Sequence, residues 1–242
     1  MQAPRMRVGV YVDSDQHHRE QLARLPELME SAGHYLHWPV GGSLPWEDMD
    51  LILLMVRESS LAEAVDALEP HIRRGQIVVH LCLAQGVQVL DPLEVKGAVV
   101  IAAGRLSDTH WAVTTVDEMG YSVAEIMLAE IGANVIHVAD GERLALAAAM
   151  TYADAIRSLR HDAVDMVTNV LGNEEKAEEI INSDFYFAGP PPVMGPGGLS
   201  EQWKSISDPG FARIFRDTQR RLGELTQQDD VELWAIGREG LS

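Results

Sequence analysis

The densest group of chemistry-bearing side chains is Asp13-Ser14-Asp15-Gln16-His17-His18, directly after the apolar run Arg7 to Val12. Carboxylates beside imidazoles at the end of a strand can exchange protons or hold a divalent cation. The same residues also serve a plainer purpose. Ser14 or Asp15 can cap a following helix, with His17 and His18 solvated on its first turn and pointing in different directions. A second group lies between Gly141 and Leu171, a stretch with no internal Gly or Pro that reads as one long helix. Asp154, Arg157, His161 and Asp165 recur there at spacings of three and four, so they share one face, with Tyr152 close by. On that face Arg157 can hold a carboxylate while His161 or Tyr152 exchanges a proton, which makes His161, Tyr152 and Asp154 the catalytic candidates. A solvated or subunit-facing row of ion pairs stays open beside that reading. Arg57, after the apolar run Asp50 to Val56, can grip a phosphate or carboxylate bidentately, or pair at the surface with Glu58. His80 sits inside another apolar run, the setting of a core histidine. Arg105 follows a further run and is a substrate-binding candidate. No Ser-His-Asp order, C-x-x-C pair or H-E-x-x-H occurs, and His161 with Asp165 is too small a set to make a metal site.

These positions depend on the elements that carry them. Strands are expected at 7–12, 35–38, 50–56, 76–81, 98–102, 111–116 and 134–138, as short apolar runs bounded by turn residues. Helical spacing intervenes up to Gly33, from the Ser59-Ser60 cap to Arg73, and from Ser122 to Ile131. Such alternation predicts an α/β fold, a doubly wound parallel sheet of Rossmann-like type. Ligands in that fold bind beyond the carboxyl ends of the strands, which gathers residues 13–18, 57–58, 80–85 and 104–105 at one crevice. Helices are further expected at 174–181 and 211–225, whereas Gly189 to Gly198, GPPPVMGPGG, predicts a loop without regular structure. The domain reading is therefore a Rossmann-like domain over 1–120 and a mostly helical one over 121–242.

Composition narrows the partners. With 19 Lys and Arg against 37 Asp and Glu, the 242-residue chain has a net charge of −18, which argues against nucleic acid and anionic membrane surfaces. A small anionic ligand stays allowed, because a few placed arginines dominate a local site. No run of about 18 or more apolar residues exists, and the first residues lack a signal-peptide cleavage pattern. The single cysteine, Cys82, excludes an intrachain disulfide and suits a cytoplasmic location.

One ordered set of segments goes further: Asp50-Leu51-Ile52-Leu53-Leu54-Met55-Val56, Gly75 to His80, Gly86-Val87 through Pro92-Leu93, and Ala129 to Ala133 leading into Ala147-Ala148-Ala149. Over residues 6–170 the chain resembles the 6-phosphogluconate dehydrogenase superfamily, which includes β-hydroxyacid dehydrogenases and pyrroline-5-carboxylate reductases. Within it, the nearest likeness is to a branch of Rossmann-like oxidoreductases with a helical C-terminal domain. The resemblance implies an NAD(P)-dependent oxidoreductase acting on a small polar or anionic metabolite. It also implies a homodimer whose partner surface comes from residues 142–171. Cofactor contacts then fall to Asp13, Ser14, Arg57 and His80, and substrate contacts to His17, His18, Arg157 and Arg105. The chain departs from the family pattern at several of these places. It has no G-x-G-x-x-G, Arg57 replaces a proline, and Trp38 replaces the charged residue that ends the second strand. Leu81-Cys82-Leu83-Ala84 replaces a Ser-Gly pair, and no lysine lies between Ala148 and Asp154. Two other readings therefore stay open: a non-redox enzyme (lyase, isomerase or hydrolase) and a non-catalytic binding protein.

Overall fold

In a computed structural model, residues 5–12, 24–39, 44–183 and 195–237 are described. The apolar runs form β1 (Arg7–Val12), β2 (Tyr35–His37), β3 (Leu51–Met55), β4 (Ile77–His80), β5 (Val99–Arg105), β6 (His110–Thr115) and β7 (Asn134–His137). They make one sheet in the order β2-β1-β3-β4-β5-β6-β7. β3 is buried along its whole length, as a strand covered on both faces must be. Alternate side chains serve opposite faces. Val8, Val10, Leu53, Met55, Val79, Ile101 and Val113 pack beneath α1 (Arg24–Ser31) and α4 (Glu118–Glu130). Ile52, Leu54, Val78, Val100 and Ala102 pack beneath α2 (Leu61–Leu68) and α3 (Asp91–Val95). Helices on both faces make the sheet doubly wound.

The sheet is not parallel throughout. β1 to β5 run parallel, but β6 pairs antiparallel with β5, Ala102 facing Thr114. Only residues 106–109 join those two strands, and a parallel crossover needs a dozen or more. β7 then returns parallel to β6 through α4. Asp117 starts α4 by accepting from the Gly120 amide at 2.8 Å, four residues before the expected start. Ser60 stands at the N-cap of α2 but makes no capping side-chain bond there, contrary to the reading of a Ser59-Ser60 cap.

The remaining helices are α5 (Arg143–Leu171), α6 (Glu174–Ile181), α7 (Pro196–Ser205), α8 (Pro209–Thr226) and α9 (Asp229–Ile236). Leu199, Val231, Trp234 and Ala235 form a small core with Trp203 and Phe215 against it. Residues 196–198 open α7, so this end of the Pro/Gly stretch is helical. Proline at the first helical positions costs nothing, because its missing N–H has no partner there anyway. The chain divides into two compact units, Met1–Asp154 and Ala155–Ser242. The first unit reaches beyond residue 120 because α4 and β7 complete its sheet. Among the described residues, no helix is long and apolar enough to cross a membrane.

Candidate functional site

The carboxyl ends of β3, β4 and β5 place three connections at one edge of the first unit's sheet. Arg57, exposed after β3, is the N-cap of a single 3-10 turn, Glu58–Ser60. The Glu58 carboxylate accepts from the Ala84 amide at 2.8 Å, tying the connection after β3 to that after β4. Asp140 reaches the same connection from before α5 and accepts from the Val87 amide at 2.7 Å. Its carboxylate lies where a side chain at position 86 would stand: a Cβ on Gly86 would be 2.1 Å from Asp140 Oδ2. Gly104 at the end of β5 makes room in the same way, since a Cβ there would be 2.9 Å from Leu83 Cα.

Arg143, the first residue of α5, is wholly enclosed. Its Nε donates to Gln85 O at 2.6 Å and its Nη2 to Cys82 O at 3.1 Å. Nη1 donates to Thr114 Oγ1 at 3.1 Å and to Ala102 O at 3.3 Å, with Ala112 O at 3.5 Å. Burial lowers the Arg143 pKa, opposed by Asp140, Cys82 and Glu58, but a guanidinium keeps its proton in any protein setting. His80 lies beneath the same connection. Its Nε2 is 3.0 Å from the Gly86 carbonyl, which can only accept, so Nε2 carries the hydrogen. Nδ1 is then a buried lone pair, without a partner among the described residues. Burial pushes the His80 pKa down to about 4, with Arg143 adding to the fall while the Gly86 bond and Asp140 oppose it. His80 is therefore neutral. Being fully enclosed, it shapes the edge instead of touching a cofactor, contrary to the expectation of direct contact.

Arg105 is also engaged locally. Its Nε donates to Ser107 O at 3.2 Å and its Nη2 pairs with Asp108, so its guanidinium braces the β5–β6 turn. Asp13, Ser14, His17 and His18 lie outside the described residues. In the second unit, an open pocket of about 350 Å³ is lined by Arg157, Arg160, His161 and Val164 of α5 with Glu178 and Asn182 from α6 and its end. Arg157 and His161 are thus brought together as the helical spacing predicts, whereas Tyr152 and Asp154 are exposed and do not line the pocket. Arg160, Glu178 and Asn182 escaped the sequence reading, although Arg160 follows Arg157 by one turn. Among the described residues, no three His, Cys, Asp or Glu side chains cluster as metal ligands.

The class of protein follows from this fold and its edge. Residues 42–104 match the model of a Rossmann-like domain, and residues 139–238 match that of the 6-phosphogluconate dehydrogenase C-terminal domain-like family. The chain thus has a Rossmann-like fold in its first part and a helical C-terminal part that matches the 6-phosphogluconate dehydrogenase C-terminal domain-like model. No curated protein matches it. Among solved structures, it resembles a protein from Bacteroides fragilis described as an NADP oxidoreductase, at 11% identity over 91% of this chain and 98% of that one, with a TM-score of 0.67. It also resembles a Plasmodium falciparum pyrroline carboxylate reductase with NADP bound, at 10% identity, 97% of each chain and a TM-score of 0.56. A 3-hydroxyisobutyrate dehydrogenase from Mycobacterium tuberculosis is similar at 13% identity over 97% of this chain and 94% of that one, with a TM-score of 0.52. At such identities the likeness establishes the fold alone.

Proposed function

We propose that the protein is an NAD(P)-dependent oxidoreductase acting on a small polar or anionic metabolite. The observation that carries this reading is the edge itself. Parallel strands deliver the connections after β3, β4 and β5 to one side of a Rossmann-like sheet, where such sheets bind their ligands. The residues at the edge fit a dinucleotide, although not through a glycine turn. Residues 13–18 contain no glycine, so the backbone approach of a G-x-G-x-x-G turn is not open to this chain. Arg57 supplies a cation for a phosphate instead, and Trp38, 46% exposed after β2, offers a ring face to a base. Asp13 and Ser14 complete the proposed cofactor contacts.

A bound nicotinamide would supply or accept a hydride. The chain's own part is to fix the substrate and move the accompanying proton. Arg157, with Arg160 beside it, suits a carboxylate or phosphate, and His161 on the same pocket suits proton exchange. Tyr152 and Asp154 are proposed as further proton-handling groups, and His17, His18 and Arg105 as further substrate contacts.

A homodimer belongs to the same reading. Tyr152, Ile156, Leu159, Ala163, Met166 and Val170 recur along α5 at alternating spacings of four and three, the pattern of a helix that packs along another. The deciding experiment is titration of the full chain with NADPH and NADH, followed by tryptophan fluorescence. Saturable binding of one is expected, weakened about tenfold by Arg57→Met, the loss of one charge-assisted contact. Binding of neither nucleotide would sink the oxidoreductase reading.

A further inference from the structure

Six residues after β4, Cys82 to Val87, are held from more sides than a surface connection needs. Arg143 takes the carbonyls of Cys82 and Gln85, Glu58 takes the amide of Ala84, and Asp140 takes the amide of Val87. His80 binds the carbonyl of Gly86 from below. Gly86 and Gly104 carry no side chain where one would collide with this arrangement. The investment is costly. A wholly enclosed guanidinium carries a large desolvation penalty that only a full set of acceptors offsets, here four carbonyls and one hydroxyl. A connection at a sheet's carboxyl edge is ordinarily mobile. Here charged side chains from two separate parts of the chain, Glu58 and the pair Asp140 and Arg143, hold one in a single shape with the neutral His80.

We propose that Arg143 and Glu58 are positioning residues. They preset the backbone of residues 82–87 as the fixed wall against which the dinucleotide lies, Arg143 from the core and Glu58 from the surface. The inference rests on the oxidoreductase reading. Its physical content is preorganisation. A wall already ordered in the free protein spares the ligand the cost of ordering it, so loosening the wall weakens binding without removing any contact to the ligand. Lysine at position 143 keeps the charge but loses the planar fork that reaches several carbonyls at once.

The test uses the full chain in four further forms: Arg143→Lys, Arg143→Met, Glu58→Ala and Glu58→Gln. The two Glu58 variants change charge equally, and only glutamine keeps an acceptor for the Ala84 amide, so their difference isolates positioning from electrostatics. Dissociation constants for NADPH and NADH are measured, with hydrogen exchange at residues 83–87 in the absence of nucleotide. Arg143→Lys is expected to bind about tenfold more weakly than the unsubstituted chain, and Glu58→Ala about threefold more weakly than Glu58→Gln. Exchange of the Ala84 amide should rise in Glu58→Ala, and exchange across 83–87 in Arg143→Lys. A folded Arg143→Lys with unchanged affinity and unchanged exchange overturns the proposal. If both Arg143 variants fail to fold, equal affinities of Glu58→Ala and Glu58→Gln overturn it. Failure of the unsubstituted chain to bind either nucleotide removes the oxidoreductase reading and this inference together. That outcome is distinct because it is seen before any substitution.

Discussion

His80 and Arg143 are two enclosed ionisable groups that meet burial in opposite ways. Arg143 stays charged by donating to carbonyls and a hydroxyl, whereas His80 gives up its charge and keeps one donor for Gly86. The second solution makes stability depend on pH. His80 titrates at about 4 in the folded chain against an ordinary 6.5, so below pH 6.5 the unfolded chain takes up a proton that the folded chain refuses. Stability from this residue is complete above about pH 6.5, falls as pH drops and is lost by about pH 4, a change of about 3 kcal/mol. Glutamine can keep a donor toward the Gly86 carbonyl without titrating. Urea unfolding at several pH values should therefore show a shallower slope for His80→Gln than for the natural chain between pH 6.5 and 4. Parallel slopes would contradict the assignment. The buried character of His80 was legible from its apolar neighbours Val78, Val79 and Leu81. The role of Arg143 was not, because an arginine at a helix start reads as solvated. Its acceptors come from residues 82, 85, 102, 112 and 114, far off in sequence.

At the scale of elements, the seven strands were legible because each is a short apolar run between turn residues. Their partners and directions were not. Nothing in the run His110 to Thr115 says that it turns back on β5; that follows from the length of the connection. α7 was hidden by proline and glycine, which usually mark loops. Its helix survives because Pro196 sits in the first turn and Leu199 is buried against the small core of the second unit. The fit between strand and connection is tested at Gly104. Alanine there would bring a Cβ within 2.9 Å of Leu83 Cα, a backbone atom that cannot swing aside. Gly104→Ala should lower the unfolding free energy by about 1–3 kcal/mol, the usual range for overpacking. Thermal or urea unfolding measures it, and an unchanged midpoint would show that the two segments separate freely. Asp117 offers a milder check: Asp117→Ala removes the cap on Gly120 and should cost about 1 kcal/mol.

For the whole molecule, α5 poses the largest question of stability. Most of this 29-residue helix is exposed in the single chain, including Tyr152 at 64%, Ile156 at 52% and Val170 at 83%. Leu159, Ala163 and Met166 of the same stripe line a hollow with Phe211, Ile214 and Phe215 of α8, so the stripe is open to water toward its two ends, where soluble proteins seldom leave large apolar side chains together. Association with a second copy through this stripe has to overcome charge, because each chain carries −18. The proposed dimer should accordingly tighten as salt rises and screens that repulsion, the opposite of an interface held by ion pairs. Ile156→Glu places a carboxylate in the exposed N-terminal part of the stripe, and in a twofold dimer it does so on both sides of one interface. The dissociation constant should rise about a hundredfold or more, with the helical signal of the separated chains preserved. Sedimentation or light scattering across a concentration series at low and high salt reads both effects. A natural chain that stays monomeric at every concentration and salt would mean that the stripe serves something other than a second copy.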